Sequence, residues 1–125
     1  VTALLVALAL TGHHHGCQTV RCQHRVDYHQ RRHRRYLVNR MPTAVASWYE
    51  DAGATACGTH YALGFASRTL PCGQRVRFCR TDRHCATGTV QDRGPFIAGR
   101  LFDFNAGLKA ATGCTDLCTV HYRLR

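Results

Sequence analysis

Acidic residues are scarce in this chain: seven Asp and Glu stand against seventeen Lys and Arg in 125 residues, a formal charge of +10. Lysine is nearly missing too, because Lys109 is the single one and arginine carries the rest of the positive charge. That balance favours anionic partners and leaves few carboxylates from which an acid–base site can be built. No apolar run is long enough to cross a bilayer, since Val1 to Leu10 falls well short of the roughly 20 residues a spanning helix needs. No internal repeat is visible, and the length allows one domain plus a tail but not two substantial cores.

Cysteine, by contrast, is abundant: eight residues, six of them between Cys57 and Cys118. An even count of this kind points to an oxidising compartment. It also offsets a size problem, because a domain of about 80 residues buries only ~60–65% of the surface its unfolded chain exposes. The apolar run at Val1 to Leu10, with the small-x-small pattern Ala7-Leu8-Ala9, has the character of a signal-peptide h-region, and residues 1–12 are expected to direct export. An N-terminal core strand is the alternative.

Residues 13–42 are polar and rich in His and Arg, with too few apolar side chains to form a core, and are expected to be a flexible basic linker with at most a short helix. The run Arg31 to Arg35 is either a solvated tail or an electrostatic tether to anionic wall polymer or lipid headgroups. Export makes nucleic acid the least natural partner, and none is expected. Cys17, Cys22, His29 and His33 offer ligand types for zinc, but the spacing is too short for the usual finger and exported thiolates oxidise. Neither a metal nor a cofactor is expected.

From residue 43 to 125 short apolar runs alternate with glycines, the pattern of brief strands. Strands are expected at Ala44 to Tyr49, Gly64 to Ala66, Gln74 to Arg80, His84 to Gln91, Leu101 to Asp103 and Thr119 to Leu124. In the third, Val76 and Phe78 should face the core while Arg75 and Arg77 face water. A turn at Thr81-Asp82-Arg83 joins it to the fourth. Asn105 is suited to cap a short helix that Gly113 ends. The fold class is therefore mostly β: a small six-stranded barrel with one short helix, braced by disulfides.

Two acids stand out among the seven. Asp92, in Gln91-Asp92-Arg93-Gly94-Pro95-Phe96, follows a strand and precedes turn residues, which puts a carboxylate at the rim of a sheet, either as plain turn chemistry or as a groove residue. Asp103 lies between Phe102 and Phe104 just before the helix, either as a capping carboxylate or sharing that groove. Glycosidic bond cleavage commonly uses two such carboxyl groups. Trp48 and Tyr49 are either core residues of the first strand or aromatic walls on which a sugar can stack.

In order along the chain stand Ala46-Ser47-Trp48-Tyr49, Thr55-Ala56-Cys57-Gly58, Ala66-Ser67-Arg68-Thr69-Leu70-Pro71, Asp92-Arg93-Gly94-Pro95-Phe96 and Gly99-Arg100-Leu101-Phe102-Asp103-Phe104. This series resembles the rare lipoprotein A (RlpA)-like double-psi β-barrel family over about Ala44 to Tyr122. The family is related in fold to the first domain of expansins, and its best-known members are secreted lytic transglycosylases of peptidoglycan. The resemblance implies a secreted or cell-wall protein, expected as a monomer, that binds peptidoglycan glycan strands and cleaves them without a cofactor. It makes Asp92 the catalytic aspartate and Asp103 the second acid, with Trp48, Tyr49, Ser67, Arg93, Phe96 and Arg100 as substrate contacts. Catalytic members carry His where this chain has Ser67, which keeps a non-catalytic, expansin-like binding module or a secreted interaction domain as alternatives. The expected disulfide cysteines are Cys57, Cys72, Cys79, Cys85, Cys114 and Cys118, with their connectivity open.

Overall fold

The computed structural model describes residues 17–125, so the expected export segment at residues 1–12 lies outside the described residues. Six strands close a barrel: β1 (Thr43–Trp48), β2 (Gly64–Ala66), β3 (Arg75–Thr81), β4 (His84–Asp92), β5 (Phe102–Phe104) and β6 (Cys118–Leu124), in the spatial order β1-β5-β2-β4-β3-β6. The pairs β1/β5 and β2/β4 are parallel and the others antiparallel. This is the expected mostly-β, double-psi barrel. The alternation in β3 is as expected, with Val76 and Phe78 fully buried and Arg75 exposed. In β6 the apolar face fades outward: Val120 is buried, but Leu124 is half exposed.

The core is aromatic. Phe65, Phe78, Phe102 and Phe104 meet edge to face with ring centroids 4.8–5.6 Å apart. Each such pair adds about 0.5–1.5 kcal/mol beyond the area it buries. The short helix α2 (Ala106–Thr112) closes one side of the barrel. The Asn105 side chain accepts from the Leu108 amide at 2.9 Å, and Gly113 ends the helix in the left-handed region at φ 70°. Leu108 is fully buried over Gly88, where a Cβ would come 2.6 Å from the Leu108 side chain.

Four disulfides join sequence neighbours: Cys17–Cys22, Cys57–Cys72, Cys79–Cys85 and Cys114–Cys118. The Cys57–Cys72 bridge closes the longest loop, 15 residues. Restricting the unfolded chain over a loop of that size stabilises by about 3 kcal/mol in the chain-entropy picture.

One expectation changes. In place of a flexible linker with at most a short helix, residues Val20–Asn39 form a 20-residue helix, α1, so the chain has two helices. The reason is local. Thr19 caps the start through the Cys22 amide, Gln23 donates to Asp27, and Arg32 and Arg40 stack over Tyr28 and Tyr36 one turn earlier. Propensity and these i,i+4 pairs favour a helix although only Val38 of it is buried, so its composition carries no core signal.

Candidate functional site

Asp92 is the last residue of β4, and the sheet register sets its place. Ala66 of β2 pairs with Asp92 on one side and with Asp103 of β5 on the other. Residues in register across neighbouring strands share a sheet face, so the two acids flank Ala66 at about 10 Å between Cα atoms, two strand spacings. A register shift between Phe65 and Ala66 accompanies this alignment.

Backbone groups hold the Asp92 carboxylate. Oδ1 accepts from the amides of Ala56 and Arg93, each at 2.9 Å. Among the described residues Oδ2 accepts no hydrogen bond, so one oxygen is left for a ligand. The loop that supplies the Ala56 amide is tied down by the Cys57–Cys72 bridge and by the Cys57 amide, which donates to the Gln91 carbonyl at 3.1 Å. Two expected ligand contacts serve this scaffold instead. The Arg93 guanidinium donates to the carbonyls of Ser67 at 3.0 Å and Leu70 at 2.7 Å. Ser67 is buried, and its hydroxyl accepts from the Thr69 and Leu70 amides at 3.4 and 3.1 Å. Together they shape the turn beside Asp92.

Asp103 is half buried and accepts from the Ser47 hydroxyl at 2.9 Å, across the β1/β5 pair in which the two residues are in register. Burial pushes its pKa above the ordinary aspartate value. Ser47 and the Arg100 charge oppose that shift, and the Asp92 charge adds to it. Arg100 therefore acts at the site through its field on Asp103.

A third acid, not singled out by sequence, lies near enough for its charge to act on the same tyrosine, Tyr49, as the other two. The fully buried Gln91 donates from Nε2 to the Tyr49 hydroxyl at 2.8 Å and to Asp51 Oδ2 at 2.7 Å, and its Oε1 accepts from the Tyr61 amide at 2.7 Å. Asp51 Oδ1 lies 2.7 Å from His60 Nδ1. Burial raises the Asp51 pKa, but hydrogen bonds from His60 and Gln91 outweigh it, and the carboxyl ends below its ordinary value. The Tyr49 phenol is pushed up, first by burial and, against the Gln91 bond, by the charges of Asp51, Asp92 and Asp103. Three of the seven acids thus converge on Tyr49. Gln91 is legible only as part of the Asp92 motif, and His60 and Asp51 meet within the single connection between β1 and β2, which no spacing announces.

Of the expected walls, Trp48 packs partly on the core and carries Lys109 Nζ over its ring at 3.5 Å, so one face is covered. Phe96 is 79% exposed, in the loop just after Asp92. Buried apolar side chains fill the barrel, so this bare ring is an aromatic surface available for stacking, as is the partly exposed Tyr61 beside Gln91.

A depression of about 600 Å³ lies elsewhere, between α1 and the β3–β4 hairpin, where Arg31, Arg34, Arg77 and Arg83 outnumber Asp27 and Asp82. A neighbouring hollow adds Arg123 and Arg125. Its arginines outnumber its acids, and the candidate reaction site is therefore the sheet face that carries Asp92 and Asp103.

A family model described as lytic transglycolase matches residues 42–120. A Synechocystis protein described as "Probable endolytic peptidoglycan transglycosylase RlpA" is 36% identical over 83 residues, covering 61% of this chain and 26% of that protein. The chain thus spans about a quarter of that relative's length. Among solved structures, the Clavibacter michiganensis expansin superposes with TM-score 0.53 at 13% identity, over 66% of this chain and 49% of that one. The Streptomyces papain inhibitor gives 0.51 at 20%, over 66% and 94%. At such identities these two likenesses show the shared fold alone.

Proposed function

Because this chain belongs to the lytic transglycolase family, we propose that it is an exported, monomeric cell-wall protein that binds peptidoglycan glycan strands across Asp92 and Asp103 and cleaves them without water. The observation that supports this most is the register of Ala66 with both acids, which sets two differently held carboxyl groups on one sheet face. Asp103, whose pKa burial raises, hydrogen-bonds a sugar hydroxyl. The free Oδ2 of Asp92 takes the proton of the sugar's C6 hydroxyl, whose oxygen then bonds to the anomeric carbon as the bond to the bridging oxygen breaks, and a general acid beside the strand gives that departing oxygen a proton to make it a hydroxyl. Phe96 offers the stacking face. The arginine-lined cleft beside α1 tethers the protein to anionic wall polymer, extending the contact expected of Arg31 to Arg35 to residues of the barrel.

A binding-only, expansin-like module is the second reading. It is favoured by Ser67, a buried serine engaged in its own turn where the family pattern has a titratable side chain. Peptide-free glycan strands incubated with the oxidised protein separate the two. Soluble fragments ending in anhydro-sugar support cleavage, whereas retention on the strands with no fragments supports binding alone.

A further inference from the structure

His60 and Asp51 form a second set of titratable groups at this groove that the scheme above leaves unused. Asp51 is fixed through both oxygens, Oδ1 to His60 Nδ1 and Oδ2 to the buried Gln91, each at 2.7 Å. Gln91 is the chain neighbour of Asp92, and His60 shares a loop with Ala56, whose amide holds Asp92. A carboxylate fixed in this way sets the ring's orientation and places one proton on Nδ1. Nε2 is then the nitrogen left to exchange protons; besides Asp51, the ring meets the Gly53 backbone. The side chain is 48% exposed, at the edge of an open depression lined by Asp51, Ala52 and Gly53. This is the arrangement of a positioned acid with access to water, on the same rim as a carboxylate that has one oxygen free.

We propose that His60 is the general acid of the groove, positioned by Asp51, and that it gives its Nε2 proton to the bridging oxygen of the glycan. This rests on the cleavage reading above. The step balances without a co-reactant. The bond from the anomeric carbon to the bridging oxygen breaks, and that oxygen takes the His60 proton to become a hydroxyl. The C6 oxygen bonds to the anomeric carbon, and its proton passes to Asp92. Proton exchange with water through the exposed imidazole and Asp92 restores the starting state. The electrostatics fit the role. The hydrogen bond to Asp51 raises the His60 pKa above its ordinary 6.5; partial desolvation opposes this, and the charges of Asp51 and Asp92 add to it. These two carboxylates, one on the loop after β1 and one at the end of β4, are the acids whose charges act on the ring.

The test is single-turnover cleavage of peptide-free glycan strands from about pH 5 to 9, with products quantified by mass spectrometry and strand binding by pull-down, for wild type, His60→Gln, Asp51→Asn and Asp92→Asn. An imidazolium acid works only while protonated, so wild-type cleavage should fall as pH rises through the raised His60 pKa. His60→Gln should bind strands as wild type does and lose about 10²–10⁴-fold in cleavage. Asp51→Asn keeps the imidazole but not the charge that holds its proton, so its alkaline limb should move to lower pH, which a merely structural role would not produce. His60→Gln cleaving within about threefold of wild type, or an unmoved limb in Asp51→Asn, overturns the assignment. If Asp92→Asn is inactive in that case, the cleavage reading still stands. A wild type that binds but yields no fragments overturns both.

Discussion

Replacing Gln91 by Leu tests whether the connection between β1 and β2, which bears Asp51 and Tyr61, is held to the barrel by one buried amide. Leucine keeps the burial but removes three hydrogen bonds, to the Tyr61 amide, the Tyr49 hydroxyl and the Asp51 carboxylate. An orphaned buried amide costs about 1–3 kcal/mol and a lost bond to a charged group about 1.5–3 kcal/mol. The Asp51 side chain is 17% exposed, so water recovers part of the second term. Allowing for that recovery, the net loss should be about 3–5 kcal/mol. The side chain also fills the space over Gly64, where no Cβ fits beside it, so the branched leucine cannot simply shift inward. Urea unfolding of the oxidised proteins measures the change, with the slope checked for constancy. A loss below about 1 kcal/mol would refute the idea that this amide organises the rim.

Gly107→Ala should destabilise by about 1–3 kcal/mol although alanine is the better helix former, because its methyl runs into the Ala62 carbonyl oxygen, which is backbone and cannot swing away. Gly53→Ala, with nothing within 4 Å, is the matched control, and urea midpoints compare the two. For Asp103 the folded pKa is raised, so its contribution is fully present below the unfolded value and is lost as pH rises through the folded one. Asp103→Asn, which cannot ionise, should therefore gain in urea midpoint relative to wild type as pH rises from acid to neutral. Removing Arg34 and Arg77 together should weaken binding to an anionic wall polymer and flatten its salt dependence, measured by co-sedimentation over a salt series, while leaving glycan-strand binding unchanged.

The barrel was readable because its strands are short alternating runs between turn residues, and Asn105 and Gly113 mark the ends of α2 by local chemistry alone. The two acids of the groove were readable from the ordered motifs. Their partners were not, because Ala56, Gln91, Asp51 and His60 meet through loops whose path depends on the Cys57–Cys72 bridge and on the β2–β4 register. Ser67 and Arg93 show the converse. Motif position marks them as belonging to the site, but only the structure shows that their polar groups are engaged by the neighbouring turn. Helix α1 leaves no core signal in the composition, because its local support comes from side-chain pairs along its own surface.

The most direct test of the central claim is mass spectrometry of the soluble products from peptide-free glycan strands treated with the wild-type protein and with Asp92→Asn. The account predicts anhydro-sugar ends from the wild type and none from the variant, with both proteins retained on the strands. Fragments produced equally by Asp92→Asn would contradict it, because the carboxylate placed at the end of β4 would then have no part in the chemistry.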